Sequence, residues 1–116
     1  MSNQRTPPPF LGEFEHFVLL AVAQLEDDAY GVTIQRELRA RAGRQSSLGA
    51  IYATLSRLEQ KGYLRSWEGG ASPKRGGRAK RFFALEPAGV RALKASRHAL
   101  DRMWEGLGLD PRPTRS

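Results

Sequence analysis

The chain has 116 residues, a formal net charge of +7, no cysteine and two histidines, and this length predicts one domain. The lack of cysteine excludes a disulfide framework and a thiolate metal site, and the lack of a long apolar run argues against a membrane-spanning helix. The first residues show no signal-peptide pattern, so we expect a cytoplasmic protein that uses neither a metal nor a cofactor.

The first predicted helix begins near residues 12–13. It follows a tail, residues 1–9, whose polar residues and three prolines predict disorder. Apolar residues then recur at helical spacing and predict a stripe that faces the core: Phe14, Phe17, Val18, Ala21, Val22 and Leu25. Leu19 and Leu20 lie off this stripe, either at the surface or on a second buried face. His16 has no second candidate ligand near it in sequence, so we expect it at the surface or in an interface.

Two more helices follow a short acidic segment. The first runs from Tyr30 to about Ala42, with apolar residues on one side and arginines on the other. The second has Ser47 as its expected N-cap and Gly62 as the left-handed residue that ends it. Two short helices joined by a tight turn that contains glycine form a helix-turn-helix pattern.

The helix between Ser47 and Gly62 has two different sides. Its apolar stripe has the spacing i, i+4, i+7 and consists of Ile51, Leu55 and Leu58. Small or uncharged residues occupy the opposite side, flanked by Tyr52 and Arg57: Gly49, Ala53, Ser56 and Gln60. A helix with such low relief fits a DNA major groove, which is about 12 Å wide. The alternative is an amphipathic helix whose outer face meets only water.

The pattern then changes to two strand candidates, residues 63–68 and 81–85, which predict a β-hairpin with a long, flexible, glycine-rich tip. Between Arg44 and Arg81 there are nine basic and two acidic residues, which account for the whole net charge because the other charges balance. The basic tip is either a solubilising loop or, directly after a helix-turn-helix, a grip on DNA phosphates.

The last predicted helix begins at Glu86-Pro87, since proline is tolerated in the first turn. Apolar residues alternate in steps of three and four and form a heptad seam interrupted by one arginine: Val90, Leu93, Arg97, Leu100, Trp104 and Leu107. This seam must be buried against the first helix of the same chain or against a second copy. Residues 108–116 are predicted to form a flexible tail.

Three segments together resemble the PadR family of bacterial transcriptional regulators. They are Tyr30-Gly-Val-Thr-Ile34, the stretch from Gly49-Ala-Ile-Tyr52 to Gly62-Tyr-Leu64, and Lys80-Arg-Phe-Phe-Ala-Leu-Glu-Pro-Ala-Gly-Val-Arg-Ala-Leu93. The spacing Gly-x-x-Tyr-x-x-Leu-x-x-Leu-x-x-x-Gly, combined with Ala-Gly-x-x-Ala-Leu, is fairly specific for this family.

The resemblance implies a mainly α (α+β) fold. It places a winged helix-turn-helix domain at residues 10–86, with a two-stranded β-wing, and one long dimerisation helix at residues 87–107. It also implies a homodimeric repressor that binds a palindromic operator in double-stranded DNA. By the same resemblance Tyr52 contacts a phosphate, and Gly49 lets the helix approach the DNA.

These expectations assign residues to two surfaces. The DNA-binding residues are expected to be Ser47, Gly49, Ala50, Tyr52, Ala53, Ser56, Arg57, Lys74, Arg75, Arg78, Lys80 and Arg81. The dimer interface is expected to contain Phe10, Leu11, Phe14, Val90, Leu93, Arg97, Leu100, Trp104 and Leu107. Some family members bind aromatic compounds near the dimer interface, so Trp104 is either an effector contact or an ordinary core residue of the seam.

Two other classes of function are an enzyme and a module that binds protein or RNA. The sequence contains no nucleophile–base pair, no usable carboxylate pair, no phosphate-binding loop before a helix and no metal cluster, so we do not expect an enzyme. The alternative to a DNA-binding regulator is a winged-helix module that uses its basic hairpin to bind an acidic protein or RNA.

Overall fold

The structure is a computed structural model that describes residues 10–69 and 80–109. The described part contains four α-helices and one two-stranded antiparallel sheet, in the order α1, α2, α3, β1, β2, α4. The helices are α1 Glu13–Leu25, α2 Gly31–Ala42, α3 Leu48–Gln60 and α4 Pro87–Trp104. A 3-10 turn, Glu26–Asp28, follows α1. The strands are β1 Leu64–Gly69 and β2 Lys80–Leu85. The expected mainly helical winged helix-turn-helix fold is confirmed.

Local signals in the sequence define the ends of α3. The Ser47 hydroxyl accepts a hydrogen bond of 3.0 Å from the backbone N–H of Ala50 and so satisfies a donor in the first turn. After the helix, Gly62 has a φ of +82°, a conformation that glycine adopts without strain. Both predictions about this helix are confirmed.

The hydrophobic core lies where α1, α2 and α3 meet the hairpin and the start of α4. Its largest fully buried side chains are Val18, Leu19, Val22, Ile34, Ile51, Leu55 and Leu58. Leu19, which lies off the predicted stripe of α1, is fully buried, whereas Leu20 is 42% exposed. The reason is that α1 packs against the other three helices and the hairpin together, so its buried surface is wider than one stripe.

The hairpin packs one face onto the core. Its register pairs Leu64 with Leu85 and Ser66 with Phe83, and Leu64 and Phe83 are both buried. The Phe83 N–H donates to the carbonyl of Ala29 at 2.9 Å, which fixes the hairpin to the segment between α1 and α2. Strand β1 begins and ends one residue later than predicted, β2 begins one residue earlier than predicted, and the predicted flexible tip beyond Gly69 lies outside the described residues.

Helix α4 is attached directly to the start of the hairpin. The Glu86 N–H donates to the Tyr63 carbonyl at 2.9 Å, and a Cβ on Gly89 would lie 2.3 Å from the same oxygen. The helix ends at Trp104, three residues before the predicted end. Two glycines with positive φ follow it, at positions 106 and 108, so Leu107 lies beyond the helix.

No helix within residues 10–69 and 80–109 combines the length and the apolar character that crossing a membrane requires. The predicted tails, residues 1–9 and most of 108–116, lie outside the described residues.

Candidate nucleic-acid interface

The outer side of α3 is exposed along its length. We call this surface the α3 face; it consists of Gly49, Ala50, Tyr52, Ala53, Ser56 and Arg57, which are all exposed. Ser47, at the N-cap, is exposed beside it, while Ile51, Thr54 and Leu55 are buried on the opposite side. The α3 face is therefore narrow, with small residues between Tyr52 and Arg57, as a helix that enters a DNA groove requires.

Tyr52 reaches from the α3 face to the first turn of α2. Its hydroxyl and ring occupy the space beside Gly31, where a Cβ would lie 2.2 Å from the Tyr52 Oη. The side chain is 46% exposed, so it is seated on one side and open to solvent on the other. No sequence pattern links Gly31 to Tyr52, because only the packing of α2 against α3 brings them together.

Glu15 of α1 pairs with two basic residues at the C-terminal end of α3, Arg57 and the C-cap residue Lys61. The Glu15 Oε2 atom lies 2.9 Å from Lys61 Nζ and 3.7 Å from Arg57 Nε. Only 13% of the Glu15 side chain is exposed, and the Gly12 N–H donates to its Oε1 at 3.1 Å. Burial would raise the pKa of Glu15, but the hydrogen bonds from Lys61 and Gly12, together with the charges of Lys61 and Arg57, lower it below its ordinary value.

A second pair of this kind joins the turn before α3 to α1, where Arg44 Nη1 lies 3.1 Å from Glu13 Oε1. Glu13 and Glu15 lie in the first turn of α1, where carboxylates also suit the positive end of the helix dipole. Glu15 and Lys61 are 46 positions apart, so no spacing rule connects them, and only the packing of α1 against α3 reveals the contact.

Arg81 of β2 lies next to the C-terminal half of α3. Its Nη1 donates to the Ser66 hydroxyl at 2.8 Å, and that hydroxyl donates to the Glu59 Oε2 atom of α3 at 2.8 Å. Arg81 Nη2 also lies 3.8 Å from Glu68 of the facing strand. A chain of hydrogen bonds therefore connects Arg81 of the hairpin to α3.

Lys80 faces the other side of the hairpin, because neighbouring residues of a strand point to opposite faces. Its ammonium lies 4.8 Å from the ring centroid of Tyr30, the residue that precedes α2. Tyr30 in turn meets Phe82 edge to face at 5.4 Å, and Phe82 stacks on Trp67 at 6.2 Å. The structure thus places Lys80 near the start of α2 and Arg81 near α3, while Lys74, Arg75 and Arg78 lie outside the described residues.

The expected dimer residues divide into two groups. Leu93 is buried in the core of its own chain, and Leu11 and Phe14 pack partly against it. The others are exposed: Phe10, Val90, Arg97, Leu100, Trp104 and Leu107. Arg97 lies 3.6 Å from Asp101 of the next turn. Within the seam, Leu93 is therefore an internal contact, whereas Val90 and the seam residues from Arg97 to Leu107 are exposed.

A groove separates the start of α1 from the second half of α4. Its lining is mostly apolar and includes Phe10, His16, Phe17, Leu100 and Met103. Burial lowers the pKa of His16, since it disfavours the charged imidazolium. Trp104, the expected effector contact, is 50% exposed and is not among the lining residues. Within residues 10–69 and 80–109, no group of three or more His, Cys, Asp or Glu side chains is arranged to hold a metal ion.

Comparisons with known proteins give a consistent assignment. The family model described as "Transcriptional regulator PadR-like family" matches residues 19–95. Transcriptional regulator Rv3488 of Mycobacterium tuberculosis is 36% identical over 78 residues, which span 67% of this chain and 68% of that protein.

Two solved structures support the same architecture. A PadR-like transcription factor from Bacteroides fragilis matches with a TM-score of 0.69 at 21% identity, over 79% of this chain and 84% of that one. A PadR family transcriptional regulator from Eggerthella lenta matches with a TM-score of 0.65 at 25% identity, over 86% of this chain and 88% of that one.

Proposed function

Because this chain belongs to the PadR-like family of transcriptional regulators, we propose that it acts as a homodimeric repressor on a palindromic operator. Regulation of transcription through DNA binding is the activity of the family, and the chain is a regulator and not an enzyme. The proposal adds the dimer, the symmetric site, the repression and the residues that touch DNA.

The observation that carries the proposal is the position of the α3 face beside the basic hairpin. The α3 face is exposed, with small residues between Tyr52 and Arg57, and Arg81 is linked to the same helix through Ser66 and Glu59. A helix that enters the major groove would then have a basic hairpin beside it, able to follow the DNA backbone. In this arrangement α3 reads bases, and Lys74, Arg75, Arg78, Lys80 and Arg81 bind phosphates.

The exposed half of the seam supports the dimer. Leu100, Trp104 and Leu107 are each at least half exposed, and large apolar side chains grouped at the end of α4 and just beyond it favour an interface. Pairing with a second copy would bury them and present two α3 faces. A two-fold dimer then requires two half-sites about one DNA turn, or ~34 Å, apart.

The apolar groove between α1 and α4 supports a response to a small effector. Its aromatic and aliphatic lining suits an apolar or aromatic compound. In a dimer, Trp104 of a second copy would be available to complete the groove. Binding there would change the distance between the two α3 faces and so weaken the operator complex.

A salt titration on DNA from the region upstream of the protein's own gene tests this function. If about five phosphates are contacted per subunit, the slope of log K against log salt concentration should be near −9 for the dimer. A slope shallower than about −3 would contradict the role of the hairpin. Competition with genomic DNA and with RNA separates sequence-specific DNA binding from general binding to polyanions.

Two pairs of substitutions divide the roles of the helix and the hairpin. Arg75→Ala with Arg78→Ala should weaken binding to all DNA sequences alike, because phosphate contacts are independent of sequence. Ser56→Ala and Arg57→Ala should instead change the preferred sequence. The proposal fails if the hairpin variant changes sequence preference while the helix variants reduce affinity uniformly.

A further inference from the structure

The Tyr52 ring occupies the space that a side chain at position 31 would need. A Cβ built on Gly31 would lie 2.2 Å from the Tyr52 Oη, 2.4 Å from Cζ and 3.0 Å from Cε1. All three distances are shorter than van der Waals contact, so a methyl group at position 31 would require the Tyr52 ring to shift.

The backbone gives no other reason for glycine at this position. Gly31 begins α2, and the glycines with positive φ in the described residues are Gly43, Gly62, Gly106 and Gly108. Alanine would therefore fit the conformation of residue 31, and alanine favours a helix over glycine by about 1 kcal/mol. The contact with Tyr52 is the feature of the structure that requires the missing side chain.

The surface beneath the Tyr52 ring is held in place by a buried hydroxyl. Thr33, 7% exposed, accepts the Tyr30 N–H at 2.9 Å and donates to the Asp28 carbonyl at 2.6 Å. The Ile34 N–H closes the first turn of α2 on the Tyr30 carbonyl at 2.9 Å. The first turn of α2 is thus a fixed wall, and Tyr52, open to solvent on its other side, is the member of the pair able to move.

We propose that Gly31 is a positioning residue for DNA binding: its missing side chain seats the Tyr52 ring against α2. The seated ring holds the hydroxyl at the corner between the α3 face and the first turn of α2, in reach of a DNA phosphate. The inference rests on the proposed function, in which α3 enters the major groove and Tyr52 touches the DNA backbone.

A double-mutant cycle tests the inference, with operator affinity at fixed salt and the midpoint of thermal unfolding measured for each variant. Gly31→Ala should weaken operator binding about tenfold or more, the size expected for one lost hydrogen bond to a charged phosphate. In the Tyr52→Ala background, Gly31→Ala should change affinity less than about twofold, because the group it displaces is already gone. Gly12→Ala is the matched control, since a Cβ there has 3.8 Å of room, and it should bind as wild type does.

Tyr52→Phe separates the ring from its hydroxyl and does not depend on how Gly31→Ala folds. This variant keeps the ring seated, and it should lose about as much affinity as Gly31→Ala. Wild-type affinity in either single variant would overturn the inference, as would an equal loss from Gly31→Ala with and without Tyr52. If wild-type protein fails to bind operator DNA at all, the proposed function fails instead. A non-additive effect of the two substitutions on the midpoint of thermal unfolding would then still show that the Tyr52 ring packs against Gly31.

Discussion

Glu15 connects the stability of the fold to the charge of the candidate interface. Its carboxylate is mostly buried between α1 and α3 and pairs with Lys61 and Arg57. Because both cations remain about half exposed, solvent screens these pairs and each contributes modestly. The two ion pairs link α3 to α1 and neutralise part of the positive charge beside the α3 face.

The variant Glu15→Gln should lose stability in a way that depends on pH. The pKa of folded Glu15 is lowered, so its contribution is fully present above the unfolded pKa, about 4.3, and is lost as pH falls through the folded pKa. In urea titrations followed by circular dichroism, wild type should exceed Glu15→Gln by about 1 kcal/mol near neutral pH. The two should converge in acid.

Glu13→Gln is the matched control for removing one carboxylate from α1. Its pair with Arg44 is more exposed, so the change in unfolding free energy should stay within about 0.5 kcal/mol. A constant difference between wild type and Glu15→Gln from neutral pH to acid would refute the assignment of Glu15.

At the scale of the elements, the sequence was sufficient where the signals are local. Ser47 and Gly62 mark the two ends of α3, and Pro87 marks the start of α4, because each acts through its own backbone. Leu19 could not be assigned, since its burial depends on which elements surround α1. The contacts of Glu15 with Lys61 and of Gly31 with Tyr52 were also missed, because they join residues that only the tertiary packing brings together.

Gly89 lies where α4 is attached to the hairpin, and its close contact there predicts the effect of a substitution. Gly89→Ala should destabilise the protein by about 1–3 kcal/mol, because the new Cβ meets the backbone carbonyl of Tyr63, which cannot turn away. The expected sign is opposite to the usual gain of about 1 kcal/mol for alanine in a helix. Urea unfolding of the variant measures it.

Gly49→Ala provides the comparison within another helix. A Cβ at Gly49 has its nearest neighbour at 3.9 Å, the Ser47 Oγ, so this variant should be as stable as wild type or more stable. If both glycine variants shift the unfolding free energy in the same direction and by the same amount, the close contact at Tyr63 has no energetic role.

At the scale of the whole molecule, the outward half of the α4 seam sets the proposed assembly. Helix α4 has 18 residues and is therefore about 27 Å long. Its first turn is fastened to the hairpin, and its last turns expose Leu100 and Trp104. The part of the seam that a second copy would cover is thus the C-terminal part of α4, away from its attachment to the hairpin.

Trp104→Ala should weaken the dimer by about 3–5 kcal/mol, provided that the indole is buried between subunits. Sedimentation equilibrium over a range of protein concentrations measures the dissociation constant. The fold of the subunit should persist, because Trp104 is half exposed within it. Arg102→Ala, on the opposite side of the same turn, should leave association unchanged, and a wild-type dissociation constant for Trp104→Ala would exclude the seam as the interface.

The ion pairs that α1 carboxylates make beside α3 affect two properties of the proposed operator complex differently, its sensitivity to salt and its discrimination among base sequences. Arg44, Arg57 and Lys61 already hold an anion, so on meeting DNA they exchange one partner for another and displace few condensed sodium ions. Arg81 of the hairpin also pairs with a carboxylate, Glu68, so sensitivity to ionic strength would then arise mainly from the other basic residues of the hairpin, and discrimination among base sequences mainly from α3. Added salt should then lower the affinity for every DNA sequence by a similar factor, without changing the order of preference among sequences.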